Sequence, residues 1–254
     1  MELKGKTAIV TGGATGMGAA TARALGAKGA RGVLMVLPAL EAEANALAAE
    51  LGEAAVSLGD VTRDADCRAA AALAEARFGR LDALVNNAGI TKFLRHDDLE
   101  GLTPEDFHRI YDVNLVGGFL MIRACLAGMR RAGRGAVVNI ASIAGVDGSG
   151  SSVAYSASKG AVVTMTKSLA RALAPTNRVN AICPGVVATE WIARGRSQAF
   201  YEEFRGKIEQ VLPLRTIVPP EEVARTAAFL IEQETITGEE ILVDAGQRLV
   251  TASV

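Results

Sequence analysis

Short apolar runs alternate along the chain with longer segments in which apolar residues recur at helical spacing. Thr7 to Val10, Val33 to Leu37, Ala54 to Leu58, Leu81 to Val85, Ala136 to Ile140, Val179 to Ile182 and Glu240 to Val243 have strand length. Many are continuous apolar runs, the pattern of strands buried on both faces. Between them, Ala19 to Ala27, Ala39 to Leu51, Asp64 to Phe78, Thr103 to about Arg131 and Ala154 to Ala174 read as helices. A last helix opens at Pro219-Pro220-Glu221-Glu222. Thr103-Pro104-Glu105-Asp106 has the form of an N-cap followed by proline at the first helical position, and Gly79 and Pro175 stop two of the helices. Seven strands alternating with helices, without a linker or repeat, predict one doubly wound α/β domain over residues 1–254: a seven-stranded parallel sheet with helices on both faces. Residues 190–212 break the rhythm, with Trp191, Phe200, Tyr201 and Phe204 set among charges. They read as an amphipathic connection or as an insertion covering a substrate, since open α/β sheets bind ligands beyond the carboxyl ends of their strands.

Composition narrows the class. Half of the 254 residues are hydrophobic and 22% are charged, as in a folded globular chain. The net charge of −1 gives no basic excess for nucleic acid, and no polybasic block points to a membrane surface. No continuous apolar run approaches the ~20 residues of a spanning helix. Ala8-Ile9-Val10 is too short for a signal-peptide core. Cys67, Cys125 and Cys183 are far apart and odd in number, and His96 and His108 form no HExxH pattern. A cytoplasmic chain with reduced thiols and no metal is expected.

Chemistry concentrates at the ends of the strands. Thr11-Gly12-Gly13-Ala14-Thr15-Gly16-Met17-Gly18 follows the first strand and opens the first helix. Glycines there let the backbone turn tightly, and the helix N-terminus offers free N–H groups to a pyrophosphate. Strand four ends in Asn86-Asn87-Ala88-Gly89 and strand five in Ala141-Ser142. Strand six leads into Cys183-Pro184-Gly185, with Thr189 beyond. Tyr155 and Lys159, four apart on a long helix, share one face. Carbonyl reduction by hydride creates alkoxide character that needs a proton and hydrogen bonds. Tyrosine, with an ordinary pKa of about 10, becomes a usable acid–base when a nearby ammonium stabilises its phenolate. Tyr155 can therefore protonate the oxygen in reduction and take the proton in oxidation, while Ser142 holds the substrate oxygen.

These motifs, in this order and over nearly the whole chain, resemble the short-chain dehydrogenase/reductase family. The resemblance implies a Rossmann-type fold and NAD(P)-dependent oxidation and reduction of small-molecule alcohols and carbonyls. It implies catalytic roles for Asn114, Ser142, Tyr155 and Lys159, with Asn114 supporting a water relay to Lys159 and Lys159 also binding the nicotinamide ribose. It implies cofactor contacts from Gly12, Thr15, Gly16, Met17 and Gly18, and an adenine contact from Asp60 with Val61 beside it. Asn87, Ala88 and Gly89 would line the adenosine side, with Pro184, Gly185, Val187 and Thr189 toward the nicotinamide. Trp191 joins Ser142 and Tyr155 as a substrate contact. The helices at 103–131 and 152–174 are long and rich in Ala, Val, Leu and Met, and the resemblance implies a homotetramer, or a homodimer, built through such helices. Simpler readings stand beside some of these: Asp60 as a helix N-cap, Asn86 or Asn87 as ties between strands, Asn114 as a local side-chain-to-backbone bond that bends its helix.

The chain departs from the family at one place that matters for specificity. The position where NAD-preferring members often carry an acid is Val36, and the positions where NADP-preferring members often carry a cation are Thr15 and Leu37. A 2′-phosphate must find partners to leave water, so the lean is to NAD. Arg123, Arg130, Arg131 and Arg134 raise the alternative of a reductase of 3-oxoacyl groups on an acidic carrier protein, or equally a cationic helix end complementing its dipole. A regulator that kept the fold without catalysis is the remaining class, and the four filled catalytic positions speak against it.

Overall fold

The computed structural model describes residues 1–250. Seven strands form one sheet: β1 (Thr7–Thr11), β2 (Arg31–Val36), β3 (Ala54–Leu58), β4 (Ala83–Asn86), β5 (Gly135–Ile140), β6 (Asn177–Pro184) and β7 (Glu240–Val243). Every pairing is parallel and the order is β3-β2-β1-β4-β5-β6-β7. Successive side chains of a strand point to opposite faces. Ala8, Val10, Val85, Val138 and Ile140 pack on one face with Leu25, Val223, Ala227 and Leu230. Ile9, Val33, Leu84 and Val137 pack on the other with Cys67, Ala70, Met121 and Met129. Burial on both faces is why these strands read as unbroken apolar runs.

The first face carries α1 (Gly16–Ala27), α2 (Glu41–Leu51) and α10 (Pro220–Glu232); the second carries α3 (Asp64–Phe78), α5 (Gly118–Arg131) and α7 (Val153–Leu173). Thr103 caps α4 (Pro104–Tyr111) in a reciprocal box, receiving Asp106 N–H while the Asp106 carboxylate receives Thr103 N–H. The single helix expected to Arg131 is interrupted by a π turn at Asp112–Gly117. By length and composition Pro104–Arg131 could cross a membrane. Here Ile110, Met121, Ile122, Cys125 and Met129 are buried, and from Met121 onward they face the sheet, so it is a core helix.

The strand order reverses between β1 and β4, and the crevice at such a switch point is where ligands bind. Over the carboxyl ends lie α6 (Ala144–Asp147), α8 (Trp191–Gly195) and α9 (Gln198–Val211). Residues 190–212 are thus two short helices. None of α9 is buried, and only Leu212 anchors its end in the core.

Candidate active site

A single cleft of about 1820 Å³ runs across the carboxyl ends of β1 to β6. That exceeds the 300–1,000 Å³ of ordinary small-ligand pockets and leaves room for two molecules. Its first wall is the glycine turn. Gly12 and Gly16 have φ of +61° and +51°, which a side chain would strain. Gly18 does not line the cleft; a Cβ there would lie 2.1 Å from the Gly12 carbonyl oxygen. It is the close approach that lets α1 start beneath the turn. Asn87 holds this loop from β4, its Nδ2 donating to the carbonyls of Thr11 (3.0 Å) and Gly12 (3.2 Å). Thr11 Oγ1 in turn receives the N–H groups of Asn87 and Ala88. Asn86 ties β4 to β5 through Asn139 Oδ1 at 2.9 Å, so both asparagines join strands. Thr15, Gly16, Met17, Asp60, Val61, Asn87, Ala88, Gly89, Pro184, Gly185, Val187 and Thr189 all line the cleft with Gly12. Free N–H groups at α1, permissive glycines and an elongated groove fit a dinucleotide. Asp60 is not the helix cap: its Oδ1 accepts from Thr62 N–H and Thr62 Oγ1, and Arg63 occupies the N-cap position of α3.

The opposite wall is polar, with Ser152 and Lys159 buried and Ser142 and Tyr155 half-buried. Ser152 Oγ receives Tyr155 N–H and starts α7. Ser142 and Tyr155 both line this wall, and Ser142 is close enough to act on the phenol. Ser142 Oγ also accepts from Ala144 N–H at 3.1 Å. Lys159, only 4% exposed, donates from Nζ to the Ile140 carbonyl at 2.7 Å and lies 5.7 Å from the centroid of the Tyr155 ring. A Cβ on Gly145 would lie 2.4 Å from the Lys159 backbone, so that glycine lets α6 press against α7.

Burial pushes the Tyr155 phenol up to about 12, with the Ser142 hydrogen bond pulling the other way. Burial pushes the Lys159 ammonium down to about 8. The lowering expected from Lys159 is not met in the protein alone, because desolvation dominates and Ser142 is the one contact that lowers the phenol. The wall instead holds a neutral phenol, a proton donor, beside an amine near the edge of its charged range.

Asn114 stands behind this wall and does not line the main cleft. Its Oδ1 accepts Ile90 N–H at 2.8 Å, and its Nδ2 donates to the Ile90 carbonyl and Ser158 Oγ, both at 3.0 Å. It makes no bond within its own helix. The bend expected from a local bond is instead a π turn centred on it, a feature often found at functional sites. Asn114 Oδ1 and Lys159 Nζ both converge on Gly89, where a Cβ would lie 3.2 and 3.6 Å from them.

The third wall is apolar. Trp191, 41% exposed, lines it with Ile192, Phe200, Phe204 and Ile208. Thr189 touches the glycine turn, its Cγ2 3.4 Å from a Cβ position on Gly16. Phe93, Gly195, Arg196, Glu43 and Gln247 are site or support residues that sequence reasoning missed. Gln247 Oε1 receives Val186 N–H at the base of this segment. Gly195 between two arginines is a local signal of a tight contact; the others carry none. Three of the four arginines considered for a carrier protein are spent in ion pairs: Arg123 with Asp64, Arg131 with Glu75 and Arg134 with Glu234.

A family profile described as Enoyl-(Acyl carrier protein) reductase matches residues 12–248. A 3-alpha-(or 20-beta)-hydroxysteroid dehydrogenase of Mycobacterium bovis is 41% identical over 253 residues, covering 96% of this chain and 90% of that protein. A protein of Streptomyces violaceoruber, assigned as ketoacyl reductase 2 of the granaticin polyketide synthase, is 37% identical over 242 residues, covering 95% and 96%. A Brucella melitensis structure described as a short-chain dehydrogenase/reductase, glucose/ribitol dehydrogenase, superposes with a TM-score of 0.87 at 31% identity, covering 97% and 98%.

Proposed function

The chain belongs to the short-chain dehydrogenase/reductase family, and on that premise we propose that Tyr155, Ser142, Lys159 and Asn114 are its working residues. It is an NAD(P)-dependent oxidoreductase that interconverts a carbonyl and an alcohol. The observation that carries the assignment is that Ser142 and Tyr155 line the same wall of the cleft, with the buried Lys159 beside the phenol ring. A nicotinamide cofactor held along the glycine turn, Asn87 to Gly89 and Thr189 would supply the hydride in reduction and accept it in oxidation. In reduction Tyr155 gives its proton to the carbonyl oxygen as hydride reaches the carbon, so that C=O becomes CH–OH. Ser142 hydrogen-bonds the same oxygen where charge develops. The Lys159 ammonium, still mostly protonated below about 8, stabilises the phenolate left behind. Asn114 positions Gly89, Ile90 and Ser158 around the amine and stands where a water relay to Lys159 would pass. Burial keeps the phenol protonated at neutral pH, ready to donate in reduction, and the rate of oxidation, which needs the phenolate, should rise with pH.

The cofactor we assign is NAD. Val36 and Leu37 offer a 2′-phosphate no cation, and Arg23, the basic side chain that lines this end of the cleft among the described residues, is engaged with Glu50. Glu43, exposed on α2, lines the same end and disfavours a phosphate. The substrate is an apolar alcohol or ketone covered by residues 190–212 acting as a lid, with Trp191 against it. An acyl carrier protein is not favoured. The assembly is a homotetramer, supported by the exposed Val116, Phe119 and Val153 on the long helices. The site is cytoplasmic, supported by three free buried cysteines.

The deciding experiment assays the purified protein with NADH and NADPH against a panel of ketones, alongside Tyr155→Phe. The variant should lose roughly 10²–10⁴-fold in turnover with cofactor affinity nearly unchanged. Activity within a few-fold of wild type would remove Tyr155 from the mechanism.

A further inference from the structure

The outer mouth of the cleft holds a cation that the carbonyl chemistry does not use. Arg196 follows α8 directly, and its guanidinium lies 5.7 Å from the Phe93 ring centroid and 5.6 Å from that of Phe200. Phe93 comes from the loop after β4 and Phe200 from α9, so the two rings reach Arg196 from separate parts of the fold. Phe204 extends the aromatic row, its ring parallel to Phe200 at 6.1 Å. All four residues line the cleft. The turn is fixed from below as well: a Cβ on Gly195 would lie 2.0 Å from the Phe93 ring, so only glycine lets the turn sit this close.

Contacts with ring faces draw on the charge of a guanidinium and pair none of its N–H donors with an oxygen acceptor. Arg196 donates none of them to a carboxylate or carbonyl among the described residues. Arg95, on the same rim, is different: its donors are closed on Asp97 at 2.7–2.9 Å. Glu190, which also lines the cleft, has an interaction of its own. The chain thus presents a charged fork held near two rings, without an acceptor among the described residues, at the rim of an otherwise apolar wall.

We infer that Arg196 is a substrate-anchoring residue, and that the preferred substrates are amphipathic: an apolar body bearing the reacting carbonyl, and a carboxylate at the far end held by the guanidinium. The inference rests on the reading of this cleft as the carbonyl–alcohol site and names its substrate class. A carboxylate matches the planar fork with two parallel hydrogen bonds, which a neutral polar group cannot do. The aromatic row supplies apolar surface between that charge and Trp191.

Binding can be read without turnover, because Trp191 is the only tryptophan in the chain and lines the same wall. The full-length protein is titrated with octanoate and with octanamide, alone and with oxidised NAD, following Trp191 fluorescence. The two probes share shape and apolar length and differ in charge. Octanoate should bind about tenfold more tightly, and the margin should shrink at high salt. Arg196→Ala should remove the margin while leaving octanamide within about twofold of wild type. Arg196→Lys should keep part of it, having the charge without the fork. Equal affinities in wild type would overturn the inference. So would Arg196→Ala weakening both probes alike, which would make Arg196 only a clasp between Phe93 and Phe200. Octanoate bound through Arg196 by a protein that reduces no ketone would overturn the catalytic reading and leave the anchor standing.

Discussion

The two ends of the cleft are built by opposite means. At the catalytic end the side chains are polar, buried or half-buried, and bonded to distant backbone: Lys159 to Ile140, Asn114 to Ile90, Asn87 to Thr11 and Gly12. At the ribose end Val36 packs on Ala14 and Ala44, and Leu37 stands half exposed. The one cation there, Arg23, is closed on Glu50. A buried polar group must find partners, and losing one costs about 1–3 kcal/mol. The catalytic end is therefore over-determined, and each of its residues constrains several others. The ribose end is held by apolar packing, which accepts many side chains. Position of the chemistry is fixed by the first kind of construction; choice of cofactor is left to the second.

The comparison breaks if the burial of Lys159 carries no energetic consequence, and this is where the largest effect lies. In the unfolded chain its amine titrates near 10.5, in the fold near 8. Between these values the unfolded chain binds the extra proton, so stability rises with pH across that window. The full difference is roughly 3 kcal/mol, present as a cost below pH 8 and gone above about 10.5. Tyr155 acts the other way at higher pH: its proton is held to about 12 in the fold, so its contribution falls from pH 10 upward. Denaturant unfolding of wild type and Lys159→Met from pH 7 to 10.5 isolates the lysine. The stability of wild type minus that of the variant should climb by about 3 kcal/mol over the window. A flat difference would mean that the ammonium is solvated and the wall less buried than described.

The same contrast governs what could be read in the sequence. Asn87, Ser142, Tyr155 and Lys159 were legible because their spacing to a strand end or along one helix face is local, and the sheet does the rest. The seven strands were legible because burial on both faces leaves unbroken apolar runs. Asn114 was legible as a position, but its bonds to Ile90 and Ser158 and the π turn around it were not, since nothing local requires them. Nor was the meeting of Phe93 with Arg196 and Phe200, more than a hundred residues apart in chain. Charge and exposure alone do not say where a surface arginine goes. The raised Tyr155 phenol was not legible for a related reason: a neighbouring ammonium can be inferred from spacing, whereas the depth of burial that raises the phenol cannot.

A second, smaller effect tests whether the apolar wall is held as firmly as the catalytic one. Gly195 sits against the Phe93 ring, with a Cβ position 2.0 Å from its edge. Gly195→Ala must push the ring aside or lift the turn that carries Arg196. Because the contact joins the wall to the rest of the fold and touches no reacting atom, KM should suffer and kcat should not. The expected change is about tenfold in KM, near 1.4 kcal/mol, with kcat within roughly twofold. Steady-state kinetics on an apolar ketone read both. An equal fall in kcat would show that this wall also shapes the catalytic end, and the contrast between the two constructions would dissolve.

The smallest effect is expected at the ribose end, where recognition is weakest. Two substitutions separate packing from charge there. Val36 is 2% exposed beneath Ala14 and Ala44, so Val36→Asp would bury a carboxylate against apolar neighbours and destabilise the fold while altering specificity. Leu37 is half exposed and lines the cleft, so Leu37→Arg adds a cation without that burial. A 2′-phosphate carries close to two negative charges and gains a charge-assisted hydrogen bond from it. Solvent screens the pair and Glu43 competes for the new cation at the same end, so the gain is modest. The ratio of kcat/KM for NADPH over NADH should rise about five- to tenfold and shrink with added salt. Thermal stability should stay near wild type, in contrast to Val36→Asp. If wild type already prefers NADPH a hundredfold, a cation must already reach the phosphate. Arg23 released from Glu50 would then be the first to substitute, because it is the only basic side chain lining this end of the cleft among the described residues.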